Sequence, residues 1–470
     1  MIERLPKSVL VGGAILAAVV LAYAAVSRPG YFTSQTYLGG IVLLEFLIAA
    51  LCMYRRFFFL VVIVAFLLAG LNLPVGTVWT AARWVFLAVG AFGGLLIILK
   101  ERGHRFGLFH AVAAFAVMTA LVSAAVSRYP SVVLLKALSF FLLFLYGATG
   151  ARLAVSGREN RFFNGLLIGC EIFVGANVLF YAAGIDAMGN PNSLGAVTGV
   201  VCAPVLLWGI LLGGERFAQL RRWVLYGACM CLVLVSHARA GLAAALLSSG
   251  LLCLALRKYK LAMEGSIVIL ILVAATSIFQ PEALTSLVSS VVYKGDHQGL
   301  GMLASRESPW HAAVDRIRDH PWFGTGLGTT ANGTGSDEEQ RKFSSSMNVT
   351  AENGSSYLAI ASGVGLLGVL PFCGLLILLG GKVFRTVSWM RKSGSAAHPA
   401  VPLAMVMFAG VAHAAFEDWM FAPGYYLCVF FWSLAFVFVD VAPAPSVSTL
   451  ALRWSPKLNR RPVGDVVPGQ

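Results

Sequence analysis

Cations beside apolar runs, and a carboxylate where the chain turns into one, are the residues of this sequence best suited to chemistry. Arg239 sits in Ser236-His237-Ala238-Arg239-Ala240-Gly241, between two apolar runs. A cation at membrane depth is costly unless it is paired or lines a wet cavity, so it marks a functional position by default. The alternative is a side chain that snorkels to the headgroups. Arg128, just before Tyr129-Pro130, and Lys136, one turn into the next run, are further cations, and Arg83 can join them. Converging, they suit a pyrophosphate, which arginine grips through a bidentate fork. Each taken alone reads first as an interfacial anchor.

A second group lies between about Gln280 and Ser355, the only long water-compatible stretch of the chain. It holds Arg306, Glu307, Trp310, His311, Asp315, Arg316, Arg318, His320, Glu352 and Asn353. Arg306 precedes an amphipathic segment, where it can join free backbone N–H groups around an anion or stand as an exposed loop arginine. Glu352-Asn353 come directly before the next apolar run. A partly desolvated carboxylate there suits a general base; the same position suits an acidic N-cap region, with Ser355 or Ser356 as the cap. His413, Glu417 and Asp418, ahead of Trp419, either line the same cavity or mark the membrane interface. His237, His311 and His320 are lesser candidates for a base. The turn Gly324-Thr325-Gly326-Leu327-Gly328 lacks the Lys-Ser/Thr of a phosphate loop and follows no buried strand.

These residues need elements to hold them, and composition says which. The chain of 470 residues is 58% apolar and 12% charged, with a mean hydropathy of +0.80. Soluble domains average about 25% charged residues, so a single soluble core is excluded. Continuous apolar runs of about twenty residues point to membrane-spanning helices and away from the alternating pattern of a β-barrel. The expected fold is all-α, a polytopic integral membrane protein with about 12–14 transmembrane helices. The net charge of +14 is spread in small groups at alternate run ends, which is topology information and argues against nucleic acid. All eight cysteines lie in apolar runs, which gives neither a disulfide framework nor a metal spacing.

Candidate spans run roughly 8–26, 35–53, 57–73, 79–99, 107–126, 131–151, 163–183, 193–213, 221–236, 240–256, 263–279, 356–381, 400–416 and 424–441; the count falls to about twelve if 57–73 and 221–236 are re-entrant. Ala22-Tyr23-Ala24 has the form of a signal cleavage site, but the run before it is long for a signal, so an uncleaved first span is expected. With both termini in the cytoplasm, the basic groups Arg55/Arg56, Lys100/Arg102/Arg105, Arg152/Arg158/Arg161, Arg216/Arg221/Arg222, Arg257/Lys258/Lys260 and Lys382/Arg385/Arg391/Lys392 all fall inside. The positive-inside rule then puts the long segment 280–355 outside. The organisation is four-part: helices over 1–279, the outer loop 280–355, helices over 356–441 and a cytoplasmic tail over 442–470. Within the loop, Pro309 to Asp319 is an expected amphipathic helix with Trp310, Ala313, Val314 and Ile317 on one face. The Ser/Thr/Asn-rich stretch from Thr329 to Asn348 is expected to be mobile.

The pattern resembles the bacterial O-antigen ligase and polymerase superfamily. Gly189-Asn190-Pro191-Asn192-Ser193-Leu194 looks like its Asn-Pro-Asn element and Ser236–Gly241 like its Ser-Arg-small-Gly element. Arg306…Trp310…Ile317-Arg318-Asp319-His320-Pro321-Trp322-Phe323-Gly324-Thr325-Gly326 looks like the outer-loop signature. Asn353, Tyr357-Leu358 and Gly363–Gly368 look like the element after it, and Phe416-Glu417 also fits. The resemblance covers about 190–440, with Ser127–Lys136 in the N-terminal half. It implies metal-independent, inverting transfer from a polyprenyl-pyrophosphate-linked oligosaccharide at the periplasmic face of the bacterial inner membrane, with no cofactor. Arg239 and Arg306 would bind the pyrophosphate, with Arg128 and Lys136 beside them. Asn192, Trp310, His311, Asn353, Tyr357, His413 and Glu417 would line the cavity. The family's ligases usually carry a histidine as base where this chain has Glu352, and a glutamate can still accept the hydroxyl proton.

The leading expectation is therefore a polymerase of O-antigen or exopolysaccharide repeat units, acting in the bilayer on a glycan acceptor. Other polysaccharide-assembly membrane proteins are further candidate partners. The alternative is a ligase moving finished glycan to lipid A-core. A transporter, which would carry charges deep in its spans and an inverted repeat, is a third reading; Glu45 and Glu171 are the acidic residues well inside runs.

Overall fold

A computed structural model describes residues 47–48, 50–51, 53–71, 76–101, 106–185, 187–265, 267, 304–329 and 353–443. The expected span 8–26, most of 35–53 and of 263–279, the stretch from 330 to 348, Glu352 and the tail beyond 443 lie outside the described residues. There is no strand among the described residues, and the protein is an all-α integral membrane protein. Seven of its described helices are long and apolar enough to cross a bilayer, and three shorter ones are equally apolar.

In chain order the helices are α1 (Tyr54–Gly70), α2 (Gly76–Lys100), α3 (Leu108–Val126) and α4 (Pro130–Tyr146), the last continuing through a π-helical turn to Val155. Then come α5 (Glu159–Ala182), α6 (Pro191–Leu211, with a π-helical turn at Thr198–Cys202), α7 (Arg216–Val235) and α8 (Arg239–Ala255). The polar segment supplies α9 (Ala304–Asp319), and α10 (Ser356–Ser393), α11 (Ala400–Ala414) and α12 (Tyr426–Val441) follow. Of the two runs that could have been re-entrant, the described part of 57–73 lies on α1 as far as Gly70, and 221–236 lies on α7 as far as Val235.

Helices apolar on every side are buried or face lipid, and this fold uses both. α11 and α12 form the centre, where Met405, Val406, Phe431, Trp432, Phe436 and Phe438 are shut off from the surface. α3, α5 and α7 turn Phe115, Met118, Ile172, Leu179, Phe217 and Val224 outward instead, as residues against hydrocarbon do. Glu171, the mid-span carboxylate, is held by Arg221 at 2.7 Å and Arg222 at 3.4 Å, so its charge is neutralised within the bundle.

Two corrections concern the polar segment and the helix after it. α9 begins at Ala304, not at Pro309, which lies inside the helix. The first four N–H groups of a helix have no intrahelical partner, so a proline at the sixth residue forfeits a single bond. The 38 residues of α10 are not one rod, because Gly365 breaks the helix at φ 69°, ψ 177°. The turn after α9 fills the break. Leu366 N–H donates to Pro321 O (2.7 Å), Gly326 N–H to Gly363 O (2.9 Å) and Thr325 N–H to Ser362 O (3.0 Å). A broken helix at membrane depth is tolerated where protein supplies the missing bonds. A Cβ at Gly324 or at Gly365 would overlap the backbone opposite, so both glycines are needed for this seam.

Candidate active site

The loop-bearing end of the bundle is assembled from several chain turns that reach one another. The 321–328 turn is clasped on its other side by α3 and α4. Ser127 Oγ donates to Thr325 O (2.9 Å), Leu327 N–H donates to Ser123 Oγ (3.3 Å), and Lys136 Nζ donates to Gly328 O. The segment between α11 and α12 folds inward, burying Trp419, Met420 and Phe421. Ser356, the first residue of α10, ties that segment down: its hydroxyl donates to Glu417 O (2.6 Å) and accepts from the Trp419 and Met420 N–H groups at 3.1 and 3.0 Å. Arg83, buried on α2, holds the far end by donating to Gly424 O at 2.8 Å.

With its flanks fixed, this segment offers two adjacent carboxylates to α9. Glu417 pairs with Arg306. Asp418 accepts from Asn353 Nδ2 at 2.9 Å and from Asn353 N–H at 3.4 Å, while Arg316 donates to Asn353 Oδ1. Burial pushes the Asp418 carboxyl above its ordinary range, against the Asn353 bonds and the Lys136 and Arg316 charges. Gly354, at φ 64°, lets the chain pass across α9, where a Cβ would sit 3.1 Å from Trp310 Nε1 and 3.2 Å from Arg306 Cδ.

Arg239 arrives from the opposite side. Asn190 caps α6, its Oδ1 accepting from Asn192 N–H at 2.9 Å, with Pro191 in the first helical position. α8 then lies directly against α6: a Cβ at Gly241 would overlap Gly195 O, and one at Gly199 would overlap Gly241 O. Gly195 and Gly199, just after the Asn-Pro-Asn element, and Gly241 of the Ser-Arg-small-Gly element therefore make a backbone-to-backbone crossing. That crossing places Arg239, at the start of α8, within electrostatic range of Arg306. Beside them, Tyr425 hydroxyl donates to Ser193 Oγ at 3.1 Å.

Residues 223–373 match a family model described as O-Antigen ligase. The match supports a place in the O-antigen ligase and polymerase superfamily for this stretch. The O-antigen ligase match runs from α7 through the break in α10, and so contains Arg239, Arg306, Arg316 and Asn353. A comparison with curated proteins finds no match. The match supports a membrane glycosyltransferase of ligase or polymerase type, working at lipid-embedded substrates.

Of the candidates read from sequence, Arg239, Arg306, Asn353 and Glu417 come together, with Trp310 against Gly354. Lys136 joins them through Asp418, whose charge it feels. Tyr357 hydroxyl donates to Val411 O at 2.5 Å, bracing α10 on α11. His413 is 2% exposed, and its Nδ1 accepts from Trp419 Nε1 at 2.7 Å, so the ring props the inward-folded segment. His311 points away, 76% exposed beside Glu307, because it lies on the outer side of α9. Arg128 is exposed over the Tyr129 ring. His237 occupies the turn between α7 and α8 at φ 52°. Glu352 lies outside the described residues. Asp418 was read with His413 and Glu417 as lining the cavity or marking the interface, and Arg316 is the member to which the sequence assigned no role. The available signal was helical spacing: Arg316 lies three residues beyond Ala313, on the inward face of α9.

Proposed function

We propose that this protein transfers a glycan from a polyprenyl-pyrophosphate carrier to an acceptor hydroxyl, with inversion, at the periplasmic face of a bacterial inner membrane. The observation that carries the reading is the convergence of Arg239 and Arg306, two like-charged groups from separate elements, beside the anchored Asn353. Two guanidiniums within electrostatic range of each other repel, and an anion between them relieves that repulsion. A pyrophosphate is such an anion, with oxygens enough for both forks.

In this reading the acceptor oxygen attacks the anomeric carbon on the face opposite the leaving group. Its proton passes to the Glu352 carboxylate, the carbon–oxygen bond to phosphate breaks, and both electrons leave with the polyprenyl pyrophosphate. Arg239 and Arg306 take up the charge that develops there, the role a metal ion fills in other transferases. Arg306 contacts Glu417 through Nη2, and a guanidinium carries five N–H donors, so it can serve the carboxylate and a phosphate together.

Repeat-unit polymerisation is the leading form, since Glu352 stands where the family's ligases usually carry histidine. Ligation to lipid A-core is the second reading, favoured by the description of the matching family. The test is transfer by purified protein in a bilayer, given polyprenyl-pyrophosphate oligosaccharide with and without lipid A-core, in the presence of EDTA. A ladder of carrier-linked glycans, lost in Glu352→Gln, is the expected result. Product on lipid A-core alone would make it a ligase, and no turnover with either acceptor would refute the transferase reading.

A further inference from the structure

The seam between α9 and α10 has an outward side that the transfer reaction does not use. Trp322 is 60% exposed there and Phe323 46%, both on the turn whose carbonyls close the break in α10. Leu367 N–H donates to Trp322 O at 3.3 Å, so the two residues sit level with the point where the helix resumes. Two large rings side by side in water are unfavourable, and a face of this kind needs a cover.

The flanking helices say what the cover is. α10 exposes Leu366, Leu367, Leu370, Ile377 and Phe384, and the exposed cations Arg385, Arg391 and Lys392 follow. Lys382, within that length, turns its ammonium to Val439 O at 3.0 Å. At 1.5 Å per residue the stripe from Leu366 to Phe384 is about 27 Å long, close to the roughly 30 Å of a hydrocarbon core. The stripe starts at the turn, so the turn stands at one edge of the hydrocarbon.

α3 gives the same level independently. Its exposed stripe of Phe115, Met118, Val122 and Val126 ends where Ser127 donates to Thr325 O. Thr119 Oγ1 lies 3.3 Å from Gly368 O, which sets the two helices side by side. Past this edge the exposed side chains change character. Arg128 follows α3 directly, and Arg318, Asp319 and His320 lead into the turn. Aromatic rings between an apolar layer and a charged one are the arrangement of a membrane–water interface. Arginines beside them can reach lipid phosphates along their apolar stems.

We propose that Trp322 and Phe323 are a lipid anchor, and that the occupant of this face is the interfacial layer of the leaflet on the α9 side. The anchor holds the C-terminal end of α9 at the membrane surface. It thereby sets the height at which the inward stripe of α9, from Arg306 to Arg316, crosses the end of the bundle. No step of the transfer reaction enters the inference, so the two stand or fall separately.

The test is depth-resolved quenching of tryptophan fluorescence on full-length protein in nanodiscs. The lipids carry bromine near the glycerol end or near the methyl end of their chains. Subtracting the signal of Trp322→Phe isolates Trp322 from the rest of the ten tryptophans. That difference signal is expected to lose more intensity to the shallow bromines than to the deep ones. Quenching by aqueous iodide and by neither lipid would put the turn in water and overturn the proposal. Quenching by none of the three would overturn it in favour of a protein cover, and the mass of the nanodisc complex would show whether a second copy supplies it. Stronger quenching by the deep bromines would overturn the interfacial depth.

Phe323→Trp on the Trp322→Phe background repeats the measurement with the probe one residue along, so the result does not hang on a single variant. A shallow-quenched signal should return. A signal reached by iodide alone would overturn the anchor.

Discussion

The two ends of the helical bundle use their charges differently. At the end away from α9, cations close on carboxylates from neighbouring helices. Arg55 pairs with Glu101, and Arg152 grips Asp440 with two nitrogens while its guanidinium lies over the Phe106 ring. Between two other helices, α5 and α7, Arg221 and Arg222 share Glu171. At the α9 end, Arg306 pairs with Glu417, and several other inward cations bond to neutral oxygens instead. Arg83 and Lys136 donate to the Gly424 and Gly328 carbonyls, and Arg316 donates to an amide. Paired charges across helix ends act as staples. A cation held by a neutral oxygen keeps its charge for an arriving anion, and this difference in partners distinguishes a binding site from a brace.

Substituting one arginine at each end is the strongest way to break that comparison. Arg239→Ala or Arg306→Ala should lower transfer by about 10²–10³-fold, the usual loss when a group that stabilises developing negative charge is removed. Thermal stability should hold or rise slightly in Arg239→Ala, because a repulsion has been removed. Arg152→Ala should do the reverse, costing about 2 kcal/mol of stability through its charged hydrogen bonds, with turnover per folded molecule unchanged. Transfer assays and thermal melts on the same preparations decide it. Equal loss of turnover at both ends would mean that the difference in partners is not what marks the site.

How much of this arrangement the sequence disclosed depends on how local each signal is. Apolar runs of twenty residues announce spans, and α3, α8, α10 and α11 begin within a residue of where hydropathy puts them. Isolated cations such as Arg239 stand out against an apolar background, and α9 shows its inward stripe through Trp310, Ala313 and Ile317. The break at Gly365 was hidden because Gly363-Val364-Gly365 is as apolar as any helix interior; its bonds come from Pro321–Gly326, supplied by a distant turn. The inward fold of Trp419-Met420-Phe421 was hidden for the same reason, since an apolar loop and the end of a span have the same composition. Arg316 was visible as a charge, but its partner is an amide, and no charge pattern points to a neutral partner.

The glycine crossings extend the comparison from charge to packing. Gly241→Ala drives a methyl into the Gly195 carbonyl, and Gly147→Ala drives one into the Phe436 ring on the other side of the molecule. Overpacking of this kind costs about 1–3 kcal/mol, so both variants should melt at lower temperature. Only Gly241→Ala should also raise the donor KM, because the α6–α8 crossing sets the position of Arg239. Donor titrations at a temperature where both variants remain folded would separate the two. A matching rise in KM for Gly147→Ala would show that the site responds to general loosening, and the crossing would lose its special role.

The smallest effect is expected within α9 itself, where one helix carries both a site face and a water face. Arg306, Trp310, Ala313 and Arg316 form the inward stripe, while His311 is displaced by about 100° from Trp310 and stands in solvent, 76% exposed beside a Glu307 that is itself 71% exposed. At 3.9 Å, and between two exposed side chains, that i,i+4 pair contributes a few tenths of a kcal/mol at most. His311→Ala should therefore leave kcat and donor KM within about twofold of wild type. Because histidine is so often a base, this substitution is also the sharpest check on the orientation of α9. A hundredfold loss in His311→Ala would mean that the helix turns its other face to the substrate. Arg306 and Arg316 would then be braces, and the contrast between the two ends of the bundle would disappear.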